Sequence, residues 1–211
     1  MTQNPDFQSR RIVMFDGPDG VGKSTQLEMA KIWLEGNGHS VATTRLSGGT
    51  EIGEALRTIS LNPKYKRPAI TDMYLMLAMY SAVAESIKTT DNTEETIYLI
   101  DRSPLSIIAY QVYGSGLSHE TAAKAVSDSL KDLSPSLVIC YAADENKINQ
   151  HLASRHSASN DYFENQPTEF AQRVIQGFAA AAIEYGAAVI KVDSGPDKVF
   201  EKTKRLLEKI I

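Results

Sequence analysis

The densest chemical signal in the chain is Gly17-Pro18-Asp19-Gly20-Val21-Gly22-Lys23-Ser24, followed directly by Thr25. The spacing is GxxxxGK[ST]. It is entered from the apolar stretch Ile12-Val13-Met14-Phe15 and left through a helix-like segment that runs to Leu34, the context that gives the motif meaning. A glycine-rich turn presents successive backbone N–H groups to a triphosphate, and the positive end of a helix dipole stands behind them. Lys23 would reach the β- and γ-phosphates, and Ser24 would ligate Mg²⁺. A second chemical pair, Asp101-Arg102, closes another apolar run. There the carboxylate can orient Mg²⁺, usually through its water, and the guanidinium can hold a phosphate in bidentate fashion. On its own, the pair reads equally well as an ion pair that caps a strand.

These residues need a scaffold that brings strand ends together. Short apolar runs bounded by turn residues predict strands at 11–15, 40–44, 97–100, 137–141 and 189–192. Helix-length segments lie between and beyond them, at 23–35, 51–60, 70–88, 119–131, 145–154, 168–185 and 196–210. Alternating β and α at this spacing implies an α/β fold of three layers, a five-stranded parallel sheet covered on both faces by right-handed crossovers. Ligands then gather at the carboxyl ends of the strands. No repeat or linker interrupts the pattern, so residues 1–211 read as one domain. The polar, aperiodic stretch from Ser154 to Asp161 reads as a short lid at about 154–165. Met73 to Ala84 is apolar or small nearly all round a helix, so it must be buried on more than one side. A homodimer formed through the helix at 70–88 would bury it.

Composition narrows the partners. A net charge of −4 and a pI near 5.6 leave no basic footprint for a nucleic-acid polymer. Four histidines and one cysteine cannot build a Cys/His zinc cluster, and no disulfide can close within the chain. Cys140 sits inside Leu137-Val138-Ile139-Cys140-Tyr141 and reads as a small buried strand residue. The longest apolar stretch is too short to cross a bilayer, and the N-terminus lacks a secretory pattern. The expectation is a cytoplasmic protein acting on small molecules.

Asp101-Arg102-Ser103-Pro104-Leu105-Ser106-Ile107-Ile108-Ala109-Tyr110-Gln111 resembles the thymidylate kinase pattern DRxxxSxxAYQ. Thr44-Arg45-Leu46-Ser47-Gly48-Gly49-Thr50-Glu51-Ile52-Gly53-Glu54-Ala55-Leu56-Arg57 is similar to that family's TREPGGTxxGExxR. Asp16 and Asp19 stand where the family is acidic. Asp161-Tyr162-Phe163-Glu164 and Phe170-Ala171-Gln172-Arg173-Val174 resemble its DRxE…FxxRV. The matches span roughly residues 11 to 195, in order.

The resemblance implies a P-loop nucleoside monophosphate kinase, in which ATP with Mg²⁺ phosphorylates a deoxynucleoside monophosphate, dTMP above others. ATP would be held by residues 17–25 and the metal by Ser24 and Asp101. Arg45 and Arg102 would clamp the acceptor phosphate, Asp19 would contact the acceptor sugar, and Asp16, Ser106 and Gln111 would complete the acceptor site. Tyr110 matches the tyrosine set against the 2′ side of the sugar. Gly20 replaces the basic residue that one branch carries in the loop, so the transition-state cation would come from Arg155 in the lid. The family's FAxDR, whose Phe stacks on thymine and whose Arg bonds to it, aligns with Leu77-Ala78-Met79-Tyr80-Ser81. Leu77 and Ser81 then take the base-reading positions, and Ile107 replaces a polar residue.

Three rival readings remain open. A deoxynucleoside kinase shares the loop and an ERS motif like Asp101-Arg102-Ser103, and would use Asp16 as general base on a 5′-hydroxyl. A nucleotide-binding homologue with impaired catalysis fits the missing arginine. A GTP switch is weaker, because Asn146-Lys147-Ile148-Asn149 lacks the aspartate of NKxD.

Overall fold

The computed structural model describes residues 11–90, 95–144, 148, 162–163 and 166–211. Five strands form one parallel sheet: β1 (Arg11–Asp16), β2 (Val41–Arg45), β3 (Ile97–Asp101), β4 (Leu137–Ala142) and β5 (Ala188–Lys191), in the order β2-β3-β1-β4-β5. Around it lie α1 (Lys23–Gly36), α2 (Glu51–Leu61), α3 (Ala69–Thr89), α4 (Leu105–Ile107), α5 (His119–Leu133), α6 (Thr168–Glu184) and α7 (Pro196–Leu207). Each strand found lies within a residue or two of its expected place, and the expected layering holds.

The central position of β1 explains its composition. Ile12 and Met14 feed a core built with α3, α4 and α5, while Val13 and Phe15 feed a second core with α1 and α7. A strand with a helix layer on each face cannot alternate apolar with polar, so it reads as an unbroken apolar run. Helix starts follow local chemistry. The Thr50 hydroxyl accepts from the Gly53 N–H at 3.0 Å and Glu51 and Glu54 fill the first turn of α2, while Pro196 opens α7. Cys140 is buried on β4, and burial pushes its thiol up to about 12, as a structural strand residue requires.

One element escaped the sequence reading. α4 runs directly into a π-helical stretch, Ile108–Gly114, so a continuous helical segment follows β3. Its burial is almost all round, with Ile107, Ile108, Ala109 and Gln111 enclosed, which erases the one-sided periodicity that marks a surface helix. π-turns of this kind concentrate at functional sites. The helix expected at 145–154 and most of the lid fall outside the described residues.

The π-helical stretch packs against α6 through Gly177. A Cβ there would lie 2.7 Å from the Ala109 Cα and 2.8 Å from the Tyr113 Cβ. Gly177→Ala is expected to force the two helices apart and cost about 1–3 kcal/mol, a typical overpacking penalty. At about 2–4 °C per kcal/mol for a chain of this size, a thermal melt reads this as a loss of several degrees.

Candidate active site

Parallel register sets the strand ends side by side. Phe15 pairs with Asp101 and Arg45 pairs with Asp101, so β1, β2 and β3 stop at one edge. Past that edge the chain stays tied to its neighbours: Leu46 N donates to Asp101 O at 2.9 Å, and Arg102 N donates to Phe15 O at 2.8 Å. Arg102 takes a left-handed backbone, φ 77°, a conformation that costs a non-glycine residue about 1–3 kcal/mol and is characteristic of functional sites.

Asp16 is fully enclosed beneath this edge. Its Oδ1 accepts from Gly17 N at 2.9 Å and from the Ser106 hydroxyl at 2.9 Å. Its Oδ2 accepts from Ser103 N at 3.0 Å and from the Ser103 hydroxyl at 2.7 Å. Arg102 Nη1 lies 3.7 Å from Oδ1. Burial raises the Asp16 pKa, and Arg102 with the Ser103 and Gly17 donors offsets only part of that. Asp16 was expected among acceptor contacts. It sits one layer beneath, where it can reach a ligand only through Ser103, Ser106 or Arg102, and Ser106 is likewise turned inward to it.

Above Asp16 the charges alternate. Arg102 Nη1 donates to Gly17 O at 3.1 Å, and its Nη2 hydrogen bonds to Asp19 Oδ1. The same oxygen lies 3.6 Å from Lys23 Nζ, which donates to Pro18 O at 2.8 Å. The Tyr110 hydroxyl donates to Asp19 Oδ2 at 2.7 Å. Desolvation by the surrounding loop would raise the Asp19 pKa, weakly for a side chain that is 55% exposed. Arg102, Lys23 and the Tyr110 hydrogen bond outweigh it and hold the carboxyl well below the usual range. Burial, with Arg102 adding repulsion, lowers the Lys23 ammonium despite the carboxylates around it. For Arg102 the sign reverses: burial opposes its charge, but Asp19, Tyr110 and the other carboxylates carry its pKa well above normal.

Arg45, at the end of β2, is held by Glu54. Nε donates to Oε1 at 3.1 Å and Nη2 to Oε2 at 2.5 Å, and Oε1 also accepts from Gly49 N at 2.9 Å. The loop can close this tightly because Gly49 adopts φ 74° and a Cβ there would fall 2.4 Å from Arg45 O. Arg57 supports the same loop by donating to Ser47 O at 2.9 Å. These contacts lower the Glu54 pKa, the Arg45 hydrogen bond most of all.

On α3 the structure departs from the alignment. Leu77 is half-buried against the core, but Ser81 is exposed and its hydroxyl donates to Ala78 O of its own helix at 3.2 Å. Tyr80, one residue earlier, is the inward side chain; burial and the Asp16 charge push its phenol up while Arg102 opposes them. Gln111, expected at the acceptor, is enclosed and donates to Asp72 Oδ2 at 3.0 Å. Asp72 in turn pairs with Arg67, Nε to Oδ1 at 2.8 Å, and the Arg67 guanidinium lies 4.1 Å over the Tyr162 ring. Tyr162 meets Phe163 edge to face at 5.3 Å, and Phe163 meets Tyr110 in the same way at 5.3 Å. A one-turn shift of the family alignment offers Tyr74 or Tyr80 as the stacking residue, and of the two Tyr80 is enclosed while Tyr74 is 62% exposed; no sequence motif marks Asp72 or Arg67, whose partners Gln111 and Tyr162 lie far along the chain. Ser24 and Thr25 stand exposed on the first turn of α1, and Asp101 Oδ1 is buried without a hydrogen-bond partner among the described residues. Arg155 lies outside the described residues.

A family model described as thymidylate kinase matches residues 15–202. A thymidylate kinase from Parasynechococcus marenigrum is 32% identical over 206 residues, covering 94% of this chain and 97% of its own. One from Caldicellulosiruptor saccharolyticus is 28% identical over 202 residues, covering 95% and 97%. The crystal structure of a thymidylate kinase from Ehrlichia chaffeensis superposes with a TM-score of 0.72 over 94% of this chain and 98% of its own, at 23% identity, and so supports the fold.

Asp16→Asn replaces an acceptor that four donors and a cation surround by a group that must present N–H to some of them. Removing one partner of a buried charge pair costs about 3–5 kcal/mol. Urea unfolding is expected to show a loss of that order with the m-value unchanged.

Proposed function

The chain belongs to the thymidylate kinase family, phosphotransferases acting on dTMP, and from that premise we propose how its residues move the γ-phosphoryl group of ATP onto dTMP to give dTDP and ADP. The observation that carries the assignment is a single carboxylate oxygen, Asp19 Oδ1, placed between Lys23 of the phosphate loop and Arg102 at the end of β3. A donor phosphate on Lys23 and an acceptor phosphate on Arg102 would stand on either side of it, close enough for direct transfer.

Residues 17–25 hold the triphosphate through loop N–H groups and Lys23. Arg102 and Arg45 clamp the acceptor phosphate, Arg45 exchanging Glu54 for it. Asp19 and Tyr110 bound the acceptor sugar. An acceptor monophosphate has its second pKa near about 6 and is already ionised at neutral pH, so no general base is needed. Asp16 is saturated by its own donors and does not suit the base that a nucleoside 5′-hydroxyl would require. The work left to the protein is positioning and charge neutralisation.

A divalent cation fits the donor set, because Asp101 Oδ1 is buried without a partner among the described residues and Ser24 is open at the helix start. Mg²⁺ held by Ser24, and by Asp101 through water, would neutralise phosphate charge. Arg155 would supply lid charge. A homodimer through α3 is supported by the exposed apolar side chains on it and on the neighbouring α2, Tyr74 at 62% and Ile52 and Ile59 at 61% and 43%. The same reading is of a cytoplasmic protein.

A coupled ADP-release assay against nucleosides and monophosphates tests the assignment, with dTMP expected as acceptor and thymidine expected to be inert. Lys23→Ala is expected to abolish turnover with the melting temperature kept, since the side chain meets ligand charge. Arg102→Ala should raise the KM for dTMP far more than that for ATP, whereas equal losses would place Arg102 elsewhere. Arg155→Ala should lower kcat with both KM values little changed, because a transition-state contact is absent from the ground state. With Ile107 enclosed and Ser81 turned outward, the preference for dTMP over dUMP and dCMP is expected to stay within about 10–200-fold, the range of an apolar pocket.

A further inference from the structure

A cleft of about 350 Å³ opens beside the phosphate loop, on the side away from Asp16 and Arg102. One wall is Gly20, Gly22 and Thr25; the other is the segment from Val192, just past β5, to Pro196, the first residue of α7. Its size lies within the range of small-ligand sites, and Val21, Val192 and Val199 supply apolar surface for a flat ring. On the reading above, a triphosphate bound by the loop places its nucleoside here.

The two walls belong to segments far apart in sequence, and one side chain joins them. Gln26 is 3% exposed at the floor of the cleft. Its Nε2 donates to Pro196 O at 3.0 Å, and its Oε1 accepts from the Thr203 hydroxyl at 3.1 Å. The Thr203 oxygen lies 2.9 Å from the Tyr141 hydroxyl, and both residues are fully enclosed. A hydroxyl has one proton to give, so once Thr203 donates to Gln26, Tyr141 must donate to Thr203. The order is then fixed from β4 through α7 to α1 and the far wall: Tyr141 O–H to Thr203, Thr203 O–H to Gln26, Gln26 N–H to Pro196 C=O. The orientation of the Gln26 amide follows from the same chain, since a flipped amide would set an N–H against the Thr203 proton and an oxygen against the Pro196 oxygen. The backbone N–H of Gln26 donates to Gly22 O at 3.1 Å, so the residue sits on the first turn of α1, directly behind the turn that carries Lys23.

We infer that Gln26 is a positioning residue for the donor nucleoside, setting the separation of the two cleft walls and so the affinity for ATP, without a part in the acceptor site. The inference rests on the donor assignment above. Losing the amide removes the tie between α1 and Pro196, although Val192 N still donates to Ala142 O at 2.8 Å, and turns the Thr203 hydroxyl to its remaining neighbours, Tyr141 and Val199 O at 2.9 and 3.4 Å.

The test is ATP affinity by titration calorimetry, with KM values for ATP and dTMP, on Gln26→Ala, Gln26→Glu and Thr203→Val. Gln26→Glu keeps the shape but sets a carboxylate oxygen against the Pro196 carbonyl; Thr203→Val removes the hydroxyl that orients the amide from a residue that does not line the cleft. All three are expected to weaken ATP binding by about tenfold, the scale of one buried hydrogen bond, with the KM for dTMP within twofold of wild type and kcat recovered at saturating ATP. Folded variants whose ATP affinity stays within twofold of wild type, or whose ATP and dTMP constants shift together, would overturn the inference. Should Gln26→Ala fail to fold, Thr203→Val decides by the same criteria. A wild-type protein that binds ATP but leaves dTMP unphosphorylated would defeat the acceptor reading alone, and the ATP titrations would still judge Gln26.

Discussion

The buried carboxylate of Asp16 is the constraint on which the site depends. A charge enclosed at the end of the central strand is tolerable only with donors on every side. Meeting that demand fixes the start of the phosphate loop through Gly17, the strained turn after β3 through Ser103, and the first turn of α4 through Ser106. Three segments that arrive from different parts of the chain are thereby held to one atom group. Arg102, lying over Asp16, is left with its guanidinium directed at Gly17 O and Asp19, on the surface where the proposed function would bring the two phosphates together.

The charges above that foundation are each satisfied internally. Arg102 rests on Asp19, Arg45 on Glu54, and Lys23 on Pro18 O with Asp19 close by. On the proposed function, each protein anion stands where a substrate phosphate would compete for the same cation. Such pairing keeps three cations oriented, so that phosphate binding would exchange one anion for another instead of ordering free side chains. It also sets a limit, because the affinity for phosphate is reduced by whatever the internal anion already contributes. Glu54, half-exposed and bonded to Gly49 N as well as Arg45, ties this exchange to the position of the glycine loop.

The walls of the site come from helices whose placement is decided away from it. The π-helical stretch lets Tyr110 face Asp19 while the adjacent Gln111 reaches Asp72 on α3. Arg67 then joins Asp72 to the carbonyl of Ser60 and to the Tyr162 ring, so the end of α2, the start of α3 and the segment at Tyr162 share one guanidinium. Edge-to-face contacts from Tyr162 to Phe163 and on to Tyr110 return that connection to the site.

The sequence by itself determined what depends on neighbours in the chain. The phosphate loop was legible because its glycines, lysine and serine act within eight residues, and the sheet was legible because a strand covered on both faces must be apolar throughout. Asp101-Arg102 was legible by its place at the end of such a run. Tertiary structure decided whatever depends on a partner on another element. Whether Tyr80 or Ser81 faces inward is a matter of helix rotation, about 100° per residue, and α3 is too uniformly apolar for its sequence to choose. Asp16 reads as a ligand contact until the donors of Ser103 and Ser106, nearly ninety residues away, enclose it. Gln26 looks like an ordinary helix residue beside the loop until Thr203, 177 positions later, and the Pro196 carbonyl close around its amide. Local pattern encodes backbone conformation and polarity, but which polar group answers which is settled only when the layers pack and every buried donor must find an acceptor.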